Sequence, residues 1–450
     1  MIFFLIISLF FLKSDYSLYF HSLFFVNLFV TFISTILILQ GLFTLAWMLY
    51  AWNDPVEANT NKSPKSFSPP HYSFTALVPA RHEEKVIEDT INAINRINYP
   101  DYLKEILILC RFDDQKTIKK VKDSINKCSA QGIKNINLLI FDGTPINKPH
   151  ALNKGLLDSK NDIVAIFDAE DEPHSDIYNI VNTVMSKDEI DVVQSGVQLI
   201  NYQSRWFSPF NVMEYYFWYK SGLHFFNKIG LVTPLGGNTV FFKRGWLNQI
   251  KGWDDKCLTE DADIGIRLSL AGAKTKIVYD EVHTTREETP HSVDSLIKQR
   301  TRWNQGFLQI FLKGDWNNFP LIRQKLTLMY VLLSPFILSS LFVYLPFGVI
   351  IATLEKLPLL ITLFSMIPLY LLGLLVLTVI IGFYKFTKDY NYKFHIFTPL
   401  KILITFYPYL LILMISSIRA FYRELLGRNG WEKTLHKNAH RKIHTVSVST

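Results

Sequence analysis

The apolar positions of this chain fall into long uncharged blocks at both ends and short interrupted runs in the middle. Leu23 to Tyr50 contains no charged residue, and at about 1.5 Å per helical residue it is longer than a hydrocarbon core of roughly 30 Å. It predicts a first membrane span. Leu326 to Leu354 and Leu357 to Phe383 repeat the pattern on either side of Glu355-Lys356 and predict two more. A fourth run, Ile402 to Ile418, is shorter and holds Pro408 near its centre. Ile2 to Leu12 is apolar as well, but no basic residues precede it and no small-residue cleavage pattern follows, so it reads as part of an anchor, not a cleaved leader.

Between Asn53 and His71 the chain turns to Asn, Ser, Pro and Lys, a linker composition that cannot bury a core. From Tyr72 onward, strand-like runs at Phe74 to Val78, Ile106 to Leu109, Ile136 to Phe141 and Ile163 to Phe167 alternate with helix-like stretches near Glu84 to Ile97, through Lys127 and from His150. Such alternation predicts an α/β unit, a mainly parallel sheet wrapped by helices, with ligands at the carboxyl ends of its strands. The expected division is an N-terminal membrane anchor (1–52), a polar linker (53–71), a soluble α/β domain (72–320), C-terminal transmembrane and interfacial helices (321–422) and a basic tail (423–450).

Composition agrees with a membrane protein carrying one large polar domain, since 49% of the 450 residues are hydrophobic and 14% aromatic. The formal charge of +8 lies largely beside apolar runs and in the tail. It reads as membrane orientation and contact with lipids, and excludes nucleic acid as the expected partner. With the middle domain cytosolic, the second and third spans return Lys385, Lys388 and Lys393 to the cytosol. A further crossing would export Arg419, Arg423, Arg428, Lys433, Lys437, Arg441 and Lys442, against the positive-inside rule, so the fourth run is left as either a span or an interfacial or re-entrant segment. Cys110, Cys128 and Cys257 are widely spaced without a CxxC pair, which indicates neither a disulfide framework nor a cysteine zinc site and fits a reducing cytosol.

The candidate chemistry sits at strand ends. Phe74 to Val78 leads into Arg81-His82-Glu83-Glu84, Ile106 to Leu109 into Asp113-Asp114, and Ile163 to Phe167 into Asp168-Ala169-Glu170-Asp171. Any one of these is an ordinary loop or helix cap. Three at neighbouring strand ends can converge on one crevice. Thr259-Glu260-Asp261 then opens a helical pattern, with Thr259 as an attractive cap. Gln299-Arg300-Thr301-Arg302-Trp303 follows just ahead of the apolar region. That polar cluster is costly beside lipid unless anionic and ring-shaped partners occupy it, and a nucleotide diphosphate and a sugar supply both.

With these motifs in this order, the chain resembles the membrane-bound family 2 glycosyltransferases of GT-A fold, the group that includes cellulose and hyaluronan synthases, over about Tyr72 to Phe311. Phe167 to Asp171, Thr259 to Leu268 and Trp431 to His436 match the FDAED, TEDADxGxRL and WxKTxH patterns of one branch. The resemblance implies that Asp168 and Glu170 hold Mg2+ or Mn2+; Glu170 stands where the family usually has Asp, and Asp171 is the alternative ligand. It implies that Asp113 and Asp114 meet the nucleobase and ribose, one of them having helix capping as its rival role, and that Lys148, Gln299 and Arg302 lie against the donor diphosphate. Asp261 would be the general base of an inverting displacement, with Glu260 on the acceptor side. Trp303 would stack on an acceptor sugar, with anchoring at the membrane interface as its other reading. Arg205 to Gly230 resembles an interfacial helix, and Leu235 to Asn238 an acceptor-side loop.

The function expected from the resemblance is an integral membrane, metal-dependent hexosyltransferase moving sugar from a nucleotide-sugar donor, UDP-linked, to a growing polysaccharide. It would be a multi-pass protein of the cell membrane with its catalytic domain in the cytosol. A glycolipid synthase acting on a lipid acceptor is the runner-up. A catalytically silent scaffold or transporter subunit is the third reading, and the scarcity of ionisable residues inside the spans speaks against it. Three or four spans are few to enclose a polymer channel, which leaves room for a homo-oligomer or an export partner.

Overall fold

The computed structural model describes residues 16–53, 55–354, 357–432 and 441. The Ile2 to Leu12 run, the Glu355-Lys356 break, Lys433 to His436, Lys437 and Lys442 lie outside the described residues.

Among the described residues nine strands form: β1 (Phe74–Ala80), β2 (Lys104–Arg111), β3 (Ile136–Phe141), β4 (Ile163–Ile166), β5 (Val192–Ser195), β6 (Val197–Leu199), β7 (Val240–Lys243), β8 (Thr275–Val278) and β9 (Thr285–Glu287). Seven make one sheet in the order β3-β2-β1-β4-β7-β5-β8, and β6 pairs with β9 apart from it. The sheet is mainly parallel, as expected, with β7 antiparallel to both neighbours. Strand periodicity explains the two-sided core. Phe74, Ala76 and Val78 of β1 and Ile106 and Ile108 of β2 pack under Ile87, Ile91, Val121 and Ile177. Leu77, Leu107 and Leu109 turn the other way, onto Leu152, Leu156, Ile264 and Leu268. The chain leaves β1 toward β2 and β3 but places β4 on the opposite side of β1. The strand order therefore reverses between β1 and β4, the place where open α/β sheets leave a crevice.

The linker is tied to this domain. His71 and Tyr72 N–H donate to Asn182 Oδ1 (2.9 and 3.1 Å), Ser63 N–H to Asp280 Oδ2 (3.1 Å), and Tyr279 N–H to Asn61 O (2.9 Å).

Four helices among the described residues are long and apolar enough to cross a membrane: Phe24–Asn53, Ile322–Tyr344, Leu359–Asp389 and Thr398–Leu425. The first three coincide with the predicted blocks. The fourth behaves differently. It packs along the helix Val293–Lys313, which carries Gln299 to Trp303, with Asn304 Nδ2 donating to Ser417 Oγ (2.9 Å) and Gln305 Nε2 to Glu424 Oε2 (3.0 Å). Near its start, Ile402 joins a cluster with Tyr202 and Phe207 of the α/β domain, and past its end Asn429 Oδ1 accepts from Gln305 and Gln309 (both 3.1 Å). Both ends of this helix meet the α/β domain.

The close approach of Val293–Lys313 to the start of the helix Glu260–Ala271 depends on Gly306, where an added Cβ would lie 2.6 Å from the Thr259 backbone nitrogen. Gly306→Ala is therefore expected to destabilise the protein by about 1–3 kcal/mol through overpacking, with activity falling as the two helices separate. A melting temperature and a turnover matching the parent would show that this contact is not required.

Candidate active site

One wall of the crevice is built by the loop after β4. Asp168 N–H donates to Asp171 Oδ2 (2.8 Å), Asp171 N–H returns to Asp168 O (3.1 Å), and Asn238 Nδ2 donates to Asp171 Oδ1 (2.7 Å). Both oxygens of the buried Asp171 are thus engaged in shaping the loop. Asp168 and Glu170 line the crevice. Lys148 opens the helix Lys148–Asp158, whose cap is Asn147, and its ammonium donates to Gly237 O (2.7 Å), ion-pairs with Asp168 and stands 3.9 Å from Glu260. One buried cation therefore joins two motifs more than ninety positions apart.

The opposite wall is the start of Glu260–Ala271. Carboxylates at the first turn are favoured by the exposed N–H groups and dipole of a helix N-terminus, and Asp261 Oδ1 accepts from Ala262 N–H (2.8 Å). Thr259 is at the cap position but makes no side-chain capping bond. Asp261 faces Gly237, where any Cβ would come within 3.1 Å of its Oδ2. Gln194 of β5 pins that loop by accepting from Gly236 N–H (2.8 Å) and donating to Asn238 O (3.0 Å).

Helical spacing explains the five-residue motif. Gln299, Arg302 and Trp303, at i, i+3 and i+4, all line the crevice, while Arg300 points away to pair with Glu214. Arg302 lies over the Trp431 ring at 4.3 Å, and the Arg300 guanidinium lies 4.3 Å from the Trp303 ring centroid. The acidic pair after β2 divides. Asp114 is buried, accepts from His82 N–H and Thr117 N–H, and caps the helix Gln115–Ala130. Asp113 is bracketed by Arg81 (3.3 Å) and Arg111. Arg81 and Arg111 reach the crevice wall themselves.

The crevice has a volume of about 690 Å³, enough for a nucleotide sugar by the size range of ligand sites, roughly 300–1,000 Å³. The profile of glycosyltransferase like family 2 matches residues 69–306, just over half of the chain. The chain belongs to that family. It is 27% identical over 259 residues to the probable glycosyltransferase YdaM of Bacillus subtilis, covering 56% of this chain and 59% of that one. It is 24% identical over 269 residues to the poly-beta-1,6-N-acetyl-D-glucosamine synthase of Staphylococcus epidermidis, covering 60% and 62%. The matches span about three-fifths of these relatives' own lengths. Among solved structures, the mannosyltransferase PcManGT of Pyrobaculum calidifontis, in complex with GDP-Man and Mn2+, aligns with 87% of this chain and 99% of its own at 17% identity and a TM-score of 0.55. The fold is GT-A, as the motifs implied.

In this member of the family the electrostatics of the crevice are the main feature. Glu83, Asp168, Glu170 and Glu287 line it, with Asp171 directly behind. Burial, then the charge of Asp168, pushes the Glu170 carboxyl well above the usual range. Burial raises Glu287 to about 7, with Asp168 adding to the effect. Burial also raises Glu260 to about 7 against the pull of Lys148, and raises Asp261 against the Ala262 N–H and Lys148. A cluster of hard oxygen donors suits Mg2+ or Mn2+, and Asp168 and Glu170 are among the carboxylates at the cavity wall.

Several residues here were not singled out from sequence. Glu287 and Glu288 at the end of β9 are a further acidic strand end, legible in principle but belonging to a strand of three residues. Tyr215 and Tyr219 lay inside an aromatic-rich stretch with nothing to distinguish them. Trp431 was noted only as part of a tail pattern, yet it lines the cavity.

The raised carboxylates make a signed prediction. Glu260 and Glu287 hold protons in the folded state that they release near pH 4.5 when unfolded, so their contribution to stability is full below that pH and is lost as pH rises through about 7. Melting curves with and without Mg2+ should therefore converge near pH 5 and diverge above pH 7, where the ion relieves the repulsion. An ion effect independent of pH would contradict this assignment.

Proposed function

We propose that this chain is an integral membrane, inverting glycosyltransferase that moves a hexose from a nucleotide sugar, UDP-linked, to a growing polysaccharide. The observation that carries this reading is the placement of Asp168, Glu170 and Lys148 on one wall of a single crevice, facing Asp261, Arg302 and Trp303 on the other. Asp168 and Glu170 would hold Mg2+ or Mn2+, which supplies positive charge against the leaving diphosphate when bound. Lys148, Gln299 and Arg302 add donors to the same phosphates. Asp261, desolvated and so a stronger base than a surface carboxylate, takes the proton of the acceptor hydroxyl, while Glu260 holds Lys148 from the acceptor side. Trp303 offers a ring face to the acceptor sugar, and Asp113 with its two arginines lies where the nucleoside would enter. The poly-N-acetylglucosamine synthase among the relatives favours a polymer as the product.

In this reading residues 72–320 carry out transfer on the cytosolic face of the cell membrane. The 1–52 segment and the helices within 321–422 hold the domain to the bilayer, with Thr398–Leu425 lying along the domain at the interface.

A donor screen on the full chain in nanodiscs, following release of nucleoside diphosphate, tests the activity. Product analysis then separates an organic-insoluble polymer, which is expected, from a lipid-soluble glycoside, which would replace the polymer assignment. Asp261→Asn should leave donor binding near normal and lower turnover by a factor on the order of a hundred or more. Near-normal turnover in the folded variant would move the base elsewhere. Trp303→Ala should impair transfer to the acceptor more than hydrolysis of the donor by water, and Trp303→Phe should recover part of the transfer. An unchanged transfer-to-hydrolysis ratio with poorer membrane retention would make Trp303 an anchor.

A further inference from the structure

Three residues past Asp171, the chain passes a second polar cluster that the proposed transfer does not use. His174 and Asp176 lie just ahead of the helix Ile177–Asp188, and His283 comes from the turn after β8. Their ligand atoms all lie within 4.8 Å of one another, and the two imidazoles meet edge to face with centroids 4.5 Å apart. Asp176 occupies the cap position of its helix but makes no capping bond, and its Oδ2 instead lies 3.9 Å from His174 Nδ1. His283 is held from behind: its Nδ1 is 2.7 Å from Asp280 Oδ1. With the proton on that nitrogen, Nε2 keeps its lone pair. Asp280 is itself fixed by the N–H groups of Ser63, Val282 and His283.

We propose that His174, Asp176 and His283 form a transition-metal site, of the Zn2+ class, that clamps the loop following the acidic motif to the loop following β8. Two imidazoles and one carboxylate are a familiar three-ligand set for Zn2+, and a carboxylate behind a ligating histidine fixes its tautomer and raises its basicity. Neutral imidazoles with the carboxylates of Asp176 and Asp280 set two negative charges against a divalent ion, with Arg286 as the nearby cation on the adjoining cleft wall. Ligand bonds of about 2.0–2.2 Å would set the three donor atoms roughly 3.4 Å apart, a contraction within reach of side-chain rotation. His174 Nδ1 would then give up the hydrogen bond it accepts from Asp176 N–H (3.1 Å). A cleft of about 220 Å³ adjoins the cluster at His174, between Glu172 and Thr284. Because Ser63 N–H binds Asp280, the clamp would also tie the linker to the loop that carries Asp168.

The test uses the full chain in detergent, stripped by chelation and then given zinc in the presence of excess Mg2+ to occupy the acidic crevice. The expected result is one zinc per chain with a raised melting temperature, retained in Asp168→Asn and lost in His283→Ala and His174→Ala. Asp280→Asn, which changes only the hydrogen-bond partner, should weaken zinc binding by about 10- to 100-fold. Where an alanine variant fails to fold, cobalt in the parent protein decides, since nitrogen-and-oxygen ligation in a closed geometry gives visible d–d bands. No zinc uptake in the presence of Mg2+, uptake unchanged by His283→Ala, or cobalt bands no stronger than those of the aqueous ion would each overturn the proposal.

Discussion

Glu83, Asp168, Glu170, Asp171 and Glu287 are gathered at one end of a sheet, where burial and neighbouring carboxylate charge oppose the ionisation of Glu170, Asp171 and Glu287. Much of the surrounding architecture manages that charge. Lys148 is largely buried beside Asp168 and within reach of Glu260, so the two walls of the crevice share a cation. Asn238 donates to both Asp171 and Glu287, which places a neutral bridge between two carboxylates. Arg441, the one described residue of the distal tail, donates to the backbone carbonyls of Glu170 and Asp171 from behind the loop. In the proposed function, a divalent ion with a diphosphate is the chemistry that offsets this cost.

The same constraint accounts for the glycines and the helix faces around the crevice. Asp261 approaches the Gly237 backbone because no Cβ stands there, and the helix Val293–Lys313 reaches Thr259 because residue 306 has none either. Along that helix Gln299, Arg302 and Trp303 face the crevice while Arg300 and Asn304 bind Glu214 and Ser417. The motif therefore reads as two faces of one helix, one turned to the crevice and one to the helix Thr398–Leu425.

Much of this was legible in the residues because it is local or periodic. Strands β1 to β4 begin and end close to the apolar runs that predict them, and the acidic motifs fall at their ends. What was not legible depends on distant partners. Whether Asp113 or Asp114 caps a helix turns on His82 and Thr117 meeting one carboxylate and Arg81 and Arg111 the other. Whether Asp171 completes the acidic pair turns on Asn238, sixty-seven positions away. The fourth apolar run has the composition of a span, and only the contacts of its Ile402 with Tyr202 and Phe207, its Ser417 with Asn304 and its Glu424 with Gln305 show it lying against the α/β domain. Trp431 reaches the crevice because Asn429 and Glu432 are held by Gln305 and Arg419, contacts that no periodicity announces.

The central claim is that the charge of this crevice is arranged to hold a divalent ion against a nucleoside diphosphate. An experimental structure of the full chain with Mn2+ and UDP tests it most directly, through the anomalous signal of manganese. The account predicts one manganese bound by Asp168, with Glu170 in its shell and the diphosphate between that ion and Arg302. A nucleotide held in the crevice with no ion at Asp168, or an ion bound away from the diphosphate, would contradict it.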